Sequence, residues 1–153
     1  MIKQLPSKDV KQAIELVNEV FSEFVAVDYS EEGRITFEAY LKTKLQEISD
    51  DLKTGHKKMW AYYQSDEIVG VIAMQNISHI SLLFVGKEYQ RKGIAKQLFL
   101  TALGEVKQSK NSTKITVNSS PYAVEAYEHL GFIKTNDAQE TNGIVYIPME
   151  YAL

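Results

Sequence analysis

The spacing of the apolar residues changes once along the chain, and this change constrains the fold more than any other feature. Between Val10 and Leu52 apolar residues recur every three or four positions, as in amphipathic helices. From Met59 onward the apolar segments are short, rich in β-branched and aromatic residues, and divided by polar turns, which is typical of strands. The sequence therefore predicts two helices followed by a strand-rich region.

The two leading helices have apolar faces that follow from this spacing. The first face consists of Val10, Ile14, Val17, Phe21 and Phe24, and the second of Phe37, Leu41, Leu45, Ile48 and Leu52. Between them lies DYSEEGR, an acidic stretch with a glycine that we expect to break the helical pattern. Thr36 is the expected N-cap of the second helix, and Gly55 is its expected end.

The strand-rich region begins with a hairpin and continues with a central strand. MWAYYQ and IVGVIAM are expected to pair around the turn Ser65-Asp66-Glu67. The closing apolar run of ISHISLLFV predicts a central strand buried on both faces.

The remaining segments alternate between helices and strands. Strands are expected at KITVNSS, FIKT and IVYIPMEY, with one helix before the first of them and one after it. Pro148 places the last strand near an edge or at a bulge, because proline cannot donate to a sheet. This order predicts a mixed α/β sheet with helices on its faces, in one domain spanning residues 1–153.

Composition removes several classes of function. The net charge of -3, without long runs of one sign, argues against a nucleic-acid or membrane-surface partner. The chain has no cysteine, so disulfides, thiolate nucleophiles and cysteine metal sites are excluded, and we expect no metal. No window has the apolar length of a membrane span and the N-terminus has no leader-like apolar stretch, so a cytoplasmic protein is expected.

The segment QRKGIA lies between the apolar run LLFV and a helical pattern, and it suits an anion. A helix start leaves backbone N–H groups unpaired and carries a partial positive charge. Gly93 lets a ligand approach the backbone, while Arg91 and Lys92 add full charges, so a diphosphate fits. The GxxxxGK[ST] and GxGxxG patterns of nucleotide sites are absent, which disfavours the alternative of an ATP-binding protein.

This segment resembles the Q/R-x-x-G-x-G/A motif of the GCN5-related N-acetyltransferase (GNAT) family, whose loop and helix start hold the pyrophosphate of acetyl-CoA. Downstream, SPYAVEAYEHLGF resembles the family signature N-x-x-A-x-x-x-Y-x-x-x-G-F. The resemblance extends in pattern from Met59 to Tyr151. It implies a mixed, mostly antiparallel sheet with a splayed central parallel pair and helices on both faces.

The resemblance also implies a coenzyme site for acetyl-CoA. Its expected contacts are Phe84, Val85, Gln90, Arg91, Lys92, Gly93, Ile94, Ala95, Lys96, Asn118 and Ser120. An amide of Phe84 or Val85 is expected to stabilise the oxyanion. Ser120 departs from the usual asparagine, and with Pro121 it also forms a good N-cap and N1 pair, so its contact and that of Asn118 are the weakest expectations.

Two residues are the candidates for proton transfer. By spacing alone, Tyr127 is a core aromatic of the fourth helix, whereas the resemblance implies the general acid that protonates the leaving thiolate. His79 lies on the strand where some family members carry a glutamate that acts as the general base. The imidazole of His79 can accept a proton directly or through water. A structural or surface histidine is the equal alternative.

The leading hypothesis is therefore a direct acetyl transfer from acetyl-CoA to a primary amine, because no cysteine can form an acyl-enzyme. The alternative is a non-catalytic acyl-CoA-binding or regulatory module on the same fold. The acceptor is unidentified, and we expect the two leading helices, the stretch DYSEEGR between them and the last hairpin around TNGIV to select it. Family members are often dimers, so a homodimer stays open.

Overall fold

A computed structural model describes residues 1–153, apart from the side chains of residues 44–46. The strands are β1 (Ile2–Gln4), β2 (Lys57–Gln64), β3 (Glu67–Gln75), β4 (His79–Val85), β5 (Lys114–Ser119), β6 (Ile133–Lys134), β7 (Gln139–Thr141) and β8 (Ile144–Ala152). The α-helices are α1 (Val10–Val20), α2 (Glu31–Thr54), α3 (Ile94–Ser109) and α4 (Val124–Leu130). In the described part of the chain, no helix combines the length and apolarity needed to cross a membrane.

All eight strands join in one sheet in the order β1-β2-β3-β4-β5-β8-β6, with β7 pairing to β8. Among the described strand pairs, only β4–β5 is parallel. Successive residues of β3 face opposite layers, since Ile72 and Met74 pack in the cluster with α3 and α4, whereas Val71 and Ala73 pack with α1 and α2. The predicted mixed, mostly antiparallel sheet with helices on both faces is confirmed.

The parallel pair β4–β5 separates soon after it begins. Its register covers only His79↔Thr116 and Ile80↔Val117, although β4 continues to Val85. We call the gap between the two strands beyond these pairs the fork. The strand is central, as expected, but four of its seven residues are only half-buried, so the expectation of burial on both faces is wrong. Three of the four, Ser81, Leu83 and Phe84, lie along the fork, where one edge of β4 is unpaired.

The N-terminal elements differ from the expectation at two places. A short strand, β1, precedes the helices and pairs with β2. Its three residues carry no periodic signal, so only the pairing defines it. Helix α2 begins at Glu31, inside the stretch expected as a break, and its N-cap is Ser30, whose hydroxyl accepts from the Gly33 N–H at 3.2 Å.

Thr36 lies one turn inside α2, where its hydroxyl donates to the Glu32 carbonyl at 2.8 Å, so the prediction that it caps the helix is wrong. Gly55 ends the helix in the left-handed conformation, as expected. Leu45, assigned to the apolar face of this helix, lies outside the described side chains.

The last strand, β8, lies between β5 and the edge strand β6, so it is near an edge, as expected. β6 pairs with Met149 and Glu150, and β7 pairs with residues 144–146. Pro148 lies in the interval between these two short pairings, which explains how the sheet accommodates a residue without an N–H.

The β7–β8 hairpin packs closely against the start of α2. A Cβ on Gly33 would lie 2.1 Å from the carbonyl oxygen of Gly143, and the Thr36 hydroxyl lies 3.2 Å from the Asn142 carbonyl oxygen. The two segments expected to select the acceptor, DYSEEGR and TNGIV, therefore form one continuous rim.

Candidate active site

The loop between β4 and α3 has the backbone geometry of an anion site. Arg91 and Gly93 both adopt the left-handed conformation, with φ of 61° and 81°. This conformation is costly for arginine and free for glycine, and it turns successive N–H groups toward one side. In α3 the Gln97 N–H bonds the Gly93 carbonyl at 3.0 Å, and no side chain caps the helix start, within the part of the chain that is described. The N–H groups of residues 94–96 therefore remain available.

Positive charge surrounds these amides. Arg91, Lys92 and Lys96 are exposed, and the Lys92 ammonium lies 5.7 Å from the centre of the Tyr89 ring. Three cations beside the positive end of a helix dipole suit a dianion such as a diphosphate.

The open edge of β4 presents one of the two expected oxyanion amides to the fork. The Gly86 N–H donates to the Val69 carbonyl at 2.8 Å on the β3 side. Hydrogen-bonding positions alternate along an antiparallel pair, so the N–H of Phe84 points toward β3 and that of Val85 points into the fork. The Val85 carbonyl faces the same way and accepts a hydrogen bond from the Gln90 side-chain amide at 3.0 Å.

Tyr127 lies on the α3–α4 side of the sheet. Its side chain is 6% exposed and its ring meets Phe132 edge-on, with the ring centres 5.4 Å apart. No described group hydrogen-bonds its hydroxyl. Since no fully buried polar atom lacks a partner among the described residues, this oxygen keeps some contact with solvent. Burial raises the pKa of Tyr127 above its ordinary value, so the hydroxyl remains a proton donor.

His79 lies at the closed end of the fork, on the α1–α2 side. Its neighbour Ile80 packs in the cluster with α3, so the alternation of β4 directs His79 to the other face. Its Nδ1 lies 2.8 Å from the Thr116 hydroxyl on β5. Burial lowers the pKa of His79, so the imidazole is neutral near pH 7 and can accept a proton.

Comparison with known proteins identifies the family. The sequence model of one protein family, the acetyltransferase (GNAT) domain, matches residues 25–153 of the chain. The chain belongs to the GNAT family. Among curated proteins, none matches this GNAT sequence.

Solved structures share the GNAT fold over the whole chain. A GCN5-related N-acetyltransferase from Rhodopseudomonas palustris has a TM-score of 0.79 at 19% identity, covering 100% of this chain and 95% of its own. The PaiA N-acetyltransferase from Thermoplasma acidophilum, solved with coenzyme A, has a TM-score of 0.77 at 21% identity, covering 100% and 98%. An aminoglycoside 6'-N-acetyltransferase complexed with coenzyme A has a TM-score of 0.70 at 15% identity, covering 99% and 96%.

The residues of the second GNAT motif lie on the other side of the fork. The Ser120 hydroxyl accepts from the Ala123 N–H at 3.3 Å, so it caps the turn before α4 and keeps its own proton for donation. Asn118 is exposed at the end of β5, opposite Pro148 on β8. The structure thus brings the loop residues and Val85 together, and it places Ser120 and Asn118 across the gap from them.

Sequence reasoning missed two residues that contact the candidate site of this GNAT chain. The Tyr122 hydroxyl donates to the Gln90 side-chain oxygen at 3.0 Å, and the Tyr122 ring stacks on Phe24 with ring centres 5.2 Å apart. Tyr122 occupies an unspecified position of the second motif, and Phe24 was assigned to the apolar face of the first helix. The aromatic residue between Pro121 and Ala123 is visible in the sequence, but its contact partner is not.

Proposed function

We propose that residues 1–153 form one N-acetyltransferase domain that transfers acetyl directly from acetyl-CoA to a primary amine. The observation that carries the proposal is the uncapped start of α3 beside the fork, where free amides and three cations suit the diphosphate of the coenzyme. The coenzyme A complexes of two GNAT proteins with the same fold support it.

The two candidates for proton transfer, His79 and Tyr127, lie on opposite faces of the sheet beside the fork, so base and acid would act from different sides of the thioester. An amine approaching from the α1–α2 side would lose a proton to His79 through a chain of water molecules, because His79 and Val85 lie at opposite ends of β4. The amine nitrogen would attack the thioester carbonyl carbon. The Val85 N–H would stabilise the oxyanion. When the carbon–sulfur bond breaks, Tyr127 on the other side would donate its proton to the thiolate. Ser120 and Asn118 would hydrogen-bond the pantetheine arm.

Charge reversal at the loop tests coenzyme binding. We expect the double variant Arg91→Glu/Lys92→Glu to weaken acetyl-CoA binding at least roughly tenfold, because two charge-assisted contacts to phosphate become repulsive. Isothermal titration calorimetry measures the Kd. The matched control, Lys107→Glu/Lys110→Glu, makes the same change of charge at the far end of α3 and should bind nearly as the wild type does. Failure of the wild type to bind acetyl-CoA would refute the proposed function.

Turnover separates the enzyme from a binding module. The assay measures release of the CoA thiol when the protein and acetyl-CoA are mixed with each of a panel of primary amines, including polyamines, aminoglycosides and peptide amines. At least one amine should be an acceptor. Tight acetyl-CoA binding without turnover across a broad panel would instead favour the non-catalytic module.

The pH dependence of turnover tests His79. Burial lowers the pKa of His79, so the midpoint of the acid limb in the pH profile of kcat/KM should lie below 6.5, the ordinary pKa of histidine. Activity should be lost as the pH falls through this lowered pKa. His79→Gln should lower kcat/KM and remove this limb. His129→Gln, at an exposed histidine of α4, should leave the profile unchanged. A wild-type profile in His79→Gln would exclude His79 as the base.

A further inference from the structure

A continuous chain of contacts crosses the open end of the fork. The Gln90 side-chain amide donates to the Val85 carbonyl of β4 at 3.0 Å, and its oxygen accepts from the Tyr122 hydroxyl at 3.0 Å. Tyr122 follows β5, so these two bonds join the ends of the separated strands. The Tyr122 ring then stacks on Phe24 at 5.2 Å. We call the contacts among these four residues the bridge.

The bridge closes one side of the fork and leaves the other side open. Phe24 packs with Phe84 in the cluster at the end of α1, on the α1–α2 side of the sheet. The start of α3 and Tyr127 lie on the opposite side, in the cluster with Leu98. A pantetheine arm that enters the fork from the α3–α4 side would therefore find the bridge on the far side of the fork, where the bridge does not block its entry.

The segment that carries Phe24 has an unusual backbone. Residues Phe21–Val25 form a single π-helical turn between α1 and the short turn before α2. Such turns are rare and often occur at functional sites. A second contact of the same turn, from Glu23 to Lys87 at 2.7 Å, also reaches the loop after β4. Although an exposed ion pair contributes little energy, both contacts direct this turn toward the coenzyme loop.

We propose that Tyr122 and Phe24 are positioning residues for the coenzyme, which hold Gln90 and the open end of β4 in place and link the coenzyme site to the π-helical turn on the acceptor side. This inference rests on the proposed function. It adds that coenzyme binding orders residues 21–28, which lead into the rim where the acceptor would bind. Because such coupling is reciprocal, an acceptor bound at the rim would tighten coenzyme binding.

Two variants remove the two halves of the bridge. Tyr122→Phe deletes the hydroxyl and keeps the ring, whereas Phe24→Leu keeps apolar bulk and deletes the stack. Each should raise the Kd of CoA about two- to tenfold, the range that corresponds to one lost hydrogen bond or aromatic contact. Because Tyr122 is 46% exposed, the melting temperature of the ligand-free Tyr122→Phe protein should stay near that of the wild type.

A matched control deletes a hydrogen-bonded tyrosine hydroxyl far from the fork. The Tyr63 hydroxyl donates to the Asp9 carboxylate at 2.7 Å, between β2 and the turn before α1. Tyr63→Phe should therefore bind CoA with the affinity of the wild type. If Tyr122 had only a structural role, Tyr122→Phe and Tyr63→Phe should bind CoA with similar affinity.

Hydrogen exchange reports on the link to the acceptor side. In the wild type, saturating CoA should slow amide exchange both at residues 91–97 and at residues 21–28. In Tyr122→Phe and Phe24→Leu, saturating CoA should still slow exchange at residues 91–97, but the slowing at residues 21–28 should be lost.

The inference and the proposed function fail in different ways. If the wild type binds CoA but Tyr122→Phe binds it equally tightly, or if exchange at residues 21–28 is indifferent to CoA, the bridge has no positioning role while the coenzyme site stands. If the wild type does not bind CoA at all, the proposed function fails and the inference fails with it.

Discussion

Tyr127→Phe should lower kcat roughly 10²- to 10³-fold, which is the contribution expected of a general acid. Phenylalanine keeps the ring packed edge-on against Phe132 and removes only the proton that would reach the departing thiolate. Burial raises the pKa of Tyr127, so the wild-type hydroxyl stays protonated through the neutral range and the loss should not depend on pH there. The assay is CoA release with the best amine of the panel.

The control for this variant is Tyr151→Phe. Tyr151 belongs to the same aromatic cluster, since its ring lies 5.6 Å from that of Phe132, but it is on β8. Its kcat should equal that of the wild type. Calorimetry should give similar acetyl-CoA affinities for both variants, because Tyr127 is proposed to act in the bond-breaking step. A Tyr127→Phe protein with wild-type kcat would exclude Tyr127 as the acid.

Gly33→Ala should destabilise the fold by about 3 kcal/mol, because the added methyl group would collide with a backbone atom that cannot move alone. The new Cβ would lie 2.1 Å from the Gly143 carbonyl oxygen, so the β7–β8 hairpin would have to leave α2. For a chain of this size the melting temperature should fall by about 6–12 °C. Thermal unfolding followed by circular dichroism measures the change.

Gly104→Ala is the matched control, since it makes the same substitution in a helix with nothing within 4 Å of the new Cβ. It should stabilise the protein by about 0.5–1 kcal/mol, because alanine loses less backbone entropy in a helix than glycine. The two substitutions should thus have opposite signs. A Gly33→Ala protein as stable as Gly104→Ala would mean that the hairpin does not pack on α2 in solution.

Part of the candidate active site could be read from the sequence because its residues are neighbours in the chain. The left-handed Gly93, the uncapped start of α3 and the cations Arg91 and Lys92 all lie within six residues. The bridge could not be read in this way. Tyr122 and Gln90 belong to different motifs, and their contact depends on how far the two strands of the fork separate.

The N-cap of α2 was present in the sequence as a local signal. Thr36 was chosen instead, since Gly33 weakens a helix that runs through it. The helix begins at Glu31, because the Ser30 hydroxyl accepts from the Gly33 N–H and acidic residues lie in the first turn. The close approach of the Gly143 backbone to Gly33 is the part that only the tertiary structure shows.

The sequence by itself determined the helices, most of the strands and the loop proposed to bind the diphosphate, because these features depend on residues within a turn or a strand of one another. Only the tertiary structure decided where β4 and β5 part, that His79 and Tyr127 lie on opposite faces of the fork, and that Tyr122 reaches Gln90. These arrangements depend on pairing and packing between distant segments, for which no local pattern of residues exists.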